Sequence, residues 1–204
     1  MQVKINVRDA VLDGILEVSS GARAVVVFAH GSGSGRFSPR NTYVAKFLQS
    51  SGFGTLLFDL LTPDEDQIYE NRFNIDLLAE RLGEATDWLL ENTKDVAVGY
   101  FGASTGAAAA LEASVKRAKV VAIVSRGGRP DLAWDYLGNV KAPTLLIVGG
   151  LDGEVILLNE SALAQITAPK KLVVIPGATH LFEEPGTLEE ASKVATSWFT
   201  EFLG

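Results

Sequence analysis

Six short apolar runs punctuate the chain: "AVVVFA" from Ala24, "GTLLF" from Gly54, "VAVGYF" from Val96, "VVAIV" from Val120, "TLLIV" from Thr144 and "LVVI" from Leu172. Strands buried on both faces need such uniformly apolar stretches, because neither face can carry polar side chains. Segments of helical periodicity lie between them, at Asn41–Ser50, Asn74–Leu90, Ala107–Lys116, Glu154–Gln165 and Leu188–Phe202. Parallel strands cannot be joined by tight hairpins, so an alternation of this kind predicts an α/β fold with a doubly wound, mostly parallel sheet. The amino terminus departs from the pattern. Val3–Val7 and Gly14–Val18 alternate polar and apolar residues and predict an antiparallel pair at a sheet edge. Leu60–Asn71 is polar and acidic and reads as a surface loop. No repeat or linker suggests a second unit, so residues 1–204 read as one domain. Chemistry in such sheets lies at the carboxyl ends of the strands.

Composition narrows the function classes. The formal charge is −7, and the 18 basic residues form no run, which argues against nucleic acid or an acidic membrane surface as partner. The absence of cysteine excludes disulfides, thiolate metal sites and a cysteine nucleophile. Only His30 and His180 are available as imidazole ligands, so no metal site is expected. No signal-peptide core opens the chain, and no apolar run approaches the ~20 residues of a membrane helix. A cytoplasmic protein is expected.

At the third run, strand turns into helix through Gly102, Ala103, Ser104, Thr105 and Gly106, a G-x-S-x-G pattern. So tight a turn forces sparsely allowed backbone angles on its central residue and leaves no room for side chains two positions away. It holds the Ser104 hydroxyl clear of the backbone at a helix amino end. A serine hydroxyl becomes a nucleophile when a base takes its proton, and that base needs a third group to fix its tautomer. His180 in "PGATH" follows the last strand, and Asp152 in "GGLD" follows the preceding one, both on the edge of Ser104. Asp152 could instead cap the helix that starts near Glu154, and Glu154 is the alternative acid. The chain order Ser104, Asp152, His180 is that of an α/β-hydrolase triad.

Acyl transfer also needs backbone donors aimed at the developing oxyanion. The amide of Thr105 is one candidate. The loop "HGSGSGR" supplies the other, through Ser32 or alternatively Gly33, and His30 reads as a group holding that loop. Arginines flank these positions: Arg126 and Arg129 in "SRGGRPDLA", Arg36 and Arg40 in "GSGRFSPRN". Arg126 and Arg36 are candidates for gripping an anionic group on the substrate, whereas pairing with Asp131 or a loop acid is the structural alternative.

With "HGSGSG", "GASTG", "GGLD", "PGATH" and "SRGGRPDLA" in place, the chain resembles the α/β-hydrolase superfamily from Ala24 to Phe202, and within it the compact dienelactone-hydrolase-like group. The resemblance implies the α/β-hydrolase fold and a serine esterase that cleaves small ester or thioester bonds through an acyl-enzyme, without a cofactor. Dienelactone hydrolases proper carry cysteine where this chain has Ser104. The same triad could serve an acyltransferase or perhydrolase, and the fold could serve an inert binding module. Arg126–Ala142 spans 17 residues, room for a short helix and no lid domain, so an open site for a small substrate is expected.

Overall fold

The computed structural model describes residues 1–19, 21–117 and 119–204. The six apolar runs all form strands: β3 (Ala24–Ala29), β4 (Gly54–Phe58), β5 (Ala97–Ala103), β6 (Val120–Arg126), β7 (Thr144–Gly149) and β8 (Lys170–Ile175). They pair in parallel in the order β4-β3-β5-β6-β7-β8. The alternating amino terminus forms β1 (Gln2–Asn6) and β2 (Val11–Glu17), antiparallel to each other, and β2 runs antiparallel to β4. Polar residues can face water on an edge, which is why only this pair shows two-residue periodicity.

Side chains alternate across each inner strand, so two cores form. Val26 and Phe28 of β3 pack under helices α1 (Pro39–Ser50) and α7 (Thr187–Leu203), with Phe101, Val124 and Ile147. Val25 and Val27 face the opposite layer, made by α3 (Ile75–Asn92), α4 (Thr105–Lys116) and α6 (Gly153–Gln165). Ile75, Leu78, Ala79, Leu82 and Leu89 are the buried stripe of α3, and Trp88 packs partly against the same core.

The segment after β4 is more ordered than its polarity predicts. Pro63–Asp66 forms a helical turn, α2, and Tyr69–Phe73 a 3₁₀ turn. The reason is a reciprocal cap: Glu65 N–H donates to Thr62 Oγ1 at 3.2 Å, while Thr62 N–H donates to the Glu65 carboxylate at 2.8 Å. Buried Arg81 of α3 then ties this turn to the β1–β2 connection, bonding Glu65 at 2.6 Å and also Asp9. A second short helix, α5 (Trp134–Leu137), follows a 3₁₀ turn at Pro130–Ala133 in the connection from β6 to β7, and its Leu137 joins the core of the α3, α4 and α6 layer.

The chain leaves β3 for β4 on one side, whereas β5 lies on the other. Loops at the carboxyl ends of β3 and β5 therefore diverge, and a crevice opens between them. Its floor depends on one close approach. A Cβ on Gly106, in the first turn of α4, would overlap the backbone carbonyl oxygens of Ala29 and His30. Neither partner is a side chain that could rotate away. Gly106→Ala should therefore destabilise the fold by about 3 kcal/mol or more, read as a lower urea midpoint at unchanged slope. A wild-type midpoint would show that helix and strand are not in this contact.

Candidate active site

Ser104 is the residue between β5 and α4, and its φ of 51° is a conformation L-residues rarely adopt. Hydrogen bonds from Ala107 N–H and Arg129 N–H to the Ser104 carbonyl, both 3.1 Å, hold the turn. Gly31 lies so near that a Cβ there would stand 3.1 Å from the Ser104 Cβ. The loop after β3 thus abuts the serine directly. Within the turn and helix start, the Ser104 hydroxyl serves as no cap, so it is left to the crevice.

His180 lies in the loop between β8 and α7. Its Nδ1 donates to Asp152 Oδ2 at 2.6 Å, a short charge-assisted bond. Asp152 occupies the N-cap position of α6 yet makes no side-chain cap bond, so the helix competes unsuccessfully with the imidazole for its carboxylate. With Nδ1 donating, Nε2 is the nitrogen free to accept a proton. Glu154 lies in the first turn of α6 and is exposed. Ser104 and His180 line one cavity of about 240 Å³, together with Ser32, Arg40, Asn41 and Arg126. Neither the 62–73 segment nor α5 contributes to its wall.

The oxyanion donors are arranged less simply than their sequence suggests. Thr105 opens α4, where the first amides have no intrahelical acceptor. The Ser32 amide is already engaged, donating to Thr105 Oγ1 at 3.0 Å. Nothing in the motif announces this bond, because it joins a loop to a side chain 73 positions away. His30 holds the same loop from below. Its Nε2 accepts from Leu60 N–H at 3.0 Å, and its Nδ1 donates to the Gly31 carbonyl at 2.9 Å. Burial pushes its pKa down, consistent with a neutral ring in both roles.

The four arginines separate cleanly. Arg36 does not reach the cavity: Asp59 accepts from its amide at 2.7 Å and pairs with its guanidinium, which also lies 4.4 Å over the Phe37 ring. Its candidacy for substrate is corrected by that pairing. Arg129 forms a two-pronged pair with Asp131 at 2.9 and 2.8 Å. Arg40 lines the cavity and reaches out to Glu183 at 3.1 Å. Arg126 is 5% exposed and lines the cavity wall. Among the described residues it has no carboxylate partner, its Nε makes no hydrogen bond, and its Nη2 reaches Asn41 Oδ1 only at 3.4 Å. Phe182 lies 5.4 Å beneath the guanidinium. Burial, and secondarily the charge of Arg40, lower the Arg126 pKa to about 10, so it is a cation at neutral pH. Asn41, like Ser34 and Ser38, is a lining residue that the sequence did not single out. It sits in the first turn of α1, just after "FSPR".

Among the described residues, no group of three or more His, Asp or Glu could hold a metal ion, and no helix is long and apolar enough to cross a membrane.

No family model matches the chain. A crystal structure of dienelactone hydrolase from Anabaena variabilis superposes with a TM-score of 0.96 and is 54% identical, covering 100% of this chain and 98% of that one. Est1E from Butyrivibrio proteoclasticus shares the fold at a TM-score of 0.84 and 16% identity, with 98% of each chain covered. Two Mycobacterium tuberculosis proteins, provisionally named as phosphoribosyl transferases, are 58% identical over 193 residues. That match takes in 93% of this chain but only 44% of theirs, so the chain spans less than half the length of these relatives.

The Ser32–Thr105 bond can be tested without reference to activity. Thr105→Val keeps shape and removes the acceptor, so exchange of the Ser32 amide should quicken by ~3- to 10-fold, the worth of one ordinary hydrogen bond. Thr105→Ser should restore protection. Equal exchange in all three proteins would show that the loop is held by something else.

Proposed function

The chain belongs to the dienelactone-hydrolase-like α/β-hydrolases, and from that premise we propose that it is a serine esterase acting on small ester or thioester substrates. Ser104 Oγ attacks the carbonyl carbon while His180 Nε2 takes its proton, and Asp152 holds the imidazole and stabilises its cation. The carbonyl oxygen becomes an oxyanion received by the Thr105 amide, and by the Ser32 amide as it turns from Thr105 Oγ1. His180 then protonates the departing alcohol or thiol, leaving an acyl group on Ser104. Water, activated by the same imidazole, hydrolyses that bond and restores the hydroxyl.

One observation carries this reading. Asp152 sits where it could cap a helix, but its carboxylate goes to His180 at 2.6 Å, on the wall of the cavity that Ser104 enters. An inert binding module would have no use for that arrangement. The transferase name belongs to proteins more than twice the length matched here, and a serine with a histidine–aspartate pair is the apparatus of acyl transfer. Arg126 adds a preference: we assign it to an anionic group near the scissile bond.

Ser104→Ala should lower turnover of a p-nitrophenyl ester by ~10⁴- to 10⁶-fold and abolish labelling by a fluorophosphonate probe, with thermal stability retained. Wild-type turnover in that variant would end the proposal. Asp152→Asn should cost ~10⁴-fold by favouring the wrong imidazole tautomer, while Glu154→Gln should change little. The reverse pattern would move the acid to Glu154. For Arg126→Ala, KM for an acidic ester should rise ~10-fold relative to that for a neutral ester of the same size. If both rise together, Arg126 is part of the scaffold.

A further inference from the structure

The protein carries a formal charge of −7, yet among the described residues no aspartate or glutamate lines the cavity of Ser104, whereas two arginines do. Arg126 is held from the buried side. At 5% exposure, without a carboxylate partner and with Nε unbonded, its charge is uncompensated among the described residues. Proteins seldom retain a buried charge without a partner, because desolvation is offset only by an opposite charge or a full set of acceptors. A single negative charge would match Arg126 alone.

Arg40 supplies the second cation. It lines the same cavity and also an outer groove beside Tyr43, Phe182, Glu183 and Leu188. Its partner Glu183 has a side chain 63% exposed, and a pair so open to water holds weakly. The remaining lining suits a group with several acceptor oxygens. Ser34, Ser38 and Asn41 stand on the same wall, and the Ser38 hydroxyl, which accepts from Asn41 N–H at 3.4 Å, retains its own proton to donate. A planar carboxylate offers two oxygens in one plane, whereas a phosphate offers three in a pyramid.

We propose that the cavity binds a dianionic phosphate group carried by the substrate, with Arg126 gripping it from within, Arg40 closing on it from the rim, and Glu183 competing for Arg40 in the resting protein. The anion site stands on the arginines alone. Calling its occupant part of an ester substrate rests on the esterase reading of Ser104.

The test is calorimetric binding of inorganic phosphate at pH 8 and fixed ionic strength, with acetate as the single-charge control. Phosphate should bind the wild-type protein, compete with ester hydrolysis, and exceed acetate in affinity by ~10-fold or more. Arg40→Ala should weaken phosphate by ~10-fold and acetate much less. Glu183→Gln should strengthen phosphate by ~2- to 5-fold, the worth of an exposed ion pair released. Equal affinity for the two anions, or phosphate binding indifferent to both substitutions, would overturn the proposal. Because binding is read without turnover, phosphate bound by a protein that hydrolyses no ester would sink the esterase reading and leave the anion site standing. Ester turnover that depends on Ser104 in a protein indifferent to phosphate would do the opposite.

Discussion

The site is organised by a contact between two pieces of backbone. The first turn of α4 lies against the carbonyl end of β3 so closely that Gly106 has no space for a Cβ, and Gly31 answers from the other side against Ser104. The position of Ser104 against the loop after β3 inherits that approach. With the helix start pressed onto the strand end, the glycine-rich loop has one course, past the serine and onto Thr105. Backbone packing of this kind is stiff, since no rotamer change can relieve it. It offers a physical reason why the strained φ of Ser104 is tolerated: the residues on both sides leave its backbone no alternative.

Around this rigid centre the electrostatics are arranged by exclusion. Acidic residues are abundant, but those near the crevice are spoken for: Asp59 by Arg36, Asp131 by Arg129, Asp66 by Arg72, Asp152 by His180. What remains facing the cavity is positive. Such a field would draw anions into the crevice of a protein whose overall charge repels them.

The sequence carried the architecture because apolar runs without alternation have few folds open to them, and the order of Ser104, Asp152 and His180 followed from placing each just past a strand. Two kinds of information were hidden. Pairing between distant residues was one: nothing local says that Asp59 claims Arg36, or that Thr105 Oγ1 accepts from Ser32. Both bonds depend on how loops fold over the sheet edge. Competition was the other. "TPDE" reads as a polar loop and forms a capping box, and Asp152 stands at a helix N-cap position but gives its carboxylate to His180. Composition cannot decide such contests; in each case the structure shows which partner lay within reach. Arg126 was identifiable as a residue at a strand end, but its lack of a counter-ion could be seen only once every nearby acid had been placed.

His30 sits beneath all of this as a rivet between two strands. One ring nitrogen is fastened to the segment leaving β4, the other to the loop leaving β3, and the first fastening requires an uncharged ring, because Nε2 must accept from Leu60 N–H. Its folded-state pKa is depressed by burial, so the unfolded chain takes up this proton more readily than the folded one. The stability His30 contributes is therefore complete above the ordinary imidazole range and drains away as pH falls through ~6.5. Acid should then loosen the crevice from underneath, with the capped turn after β4 coming adrift from the loop after β3. A protein lacking this ring would lose that acid sensitivity, and denaturation midpoints of His30→Gln at pH 5 and pH 8 would reveal it.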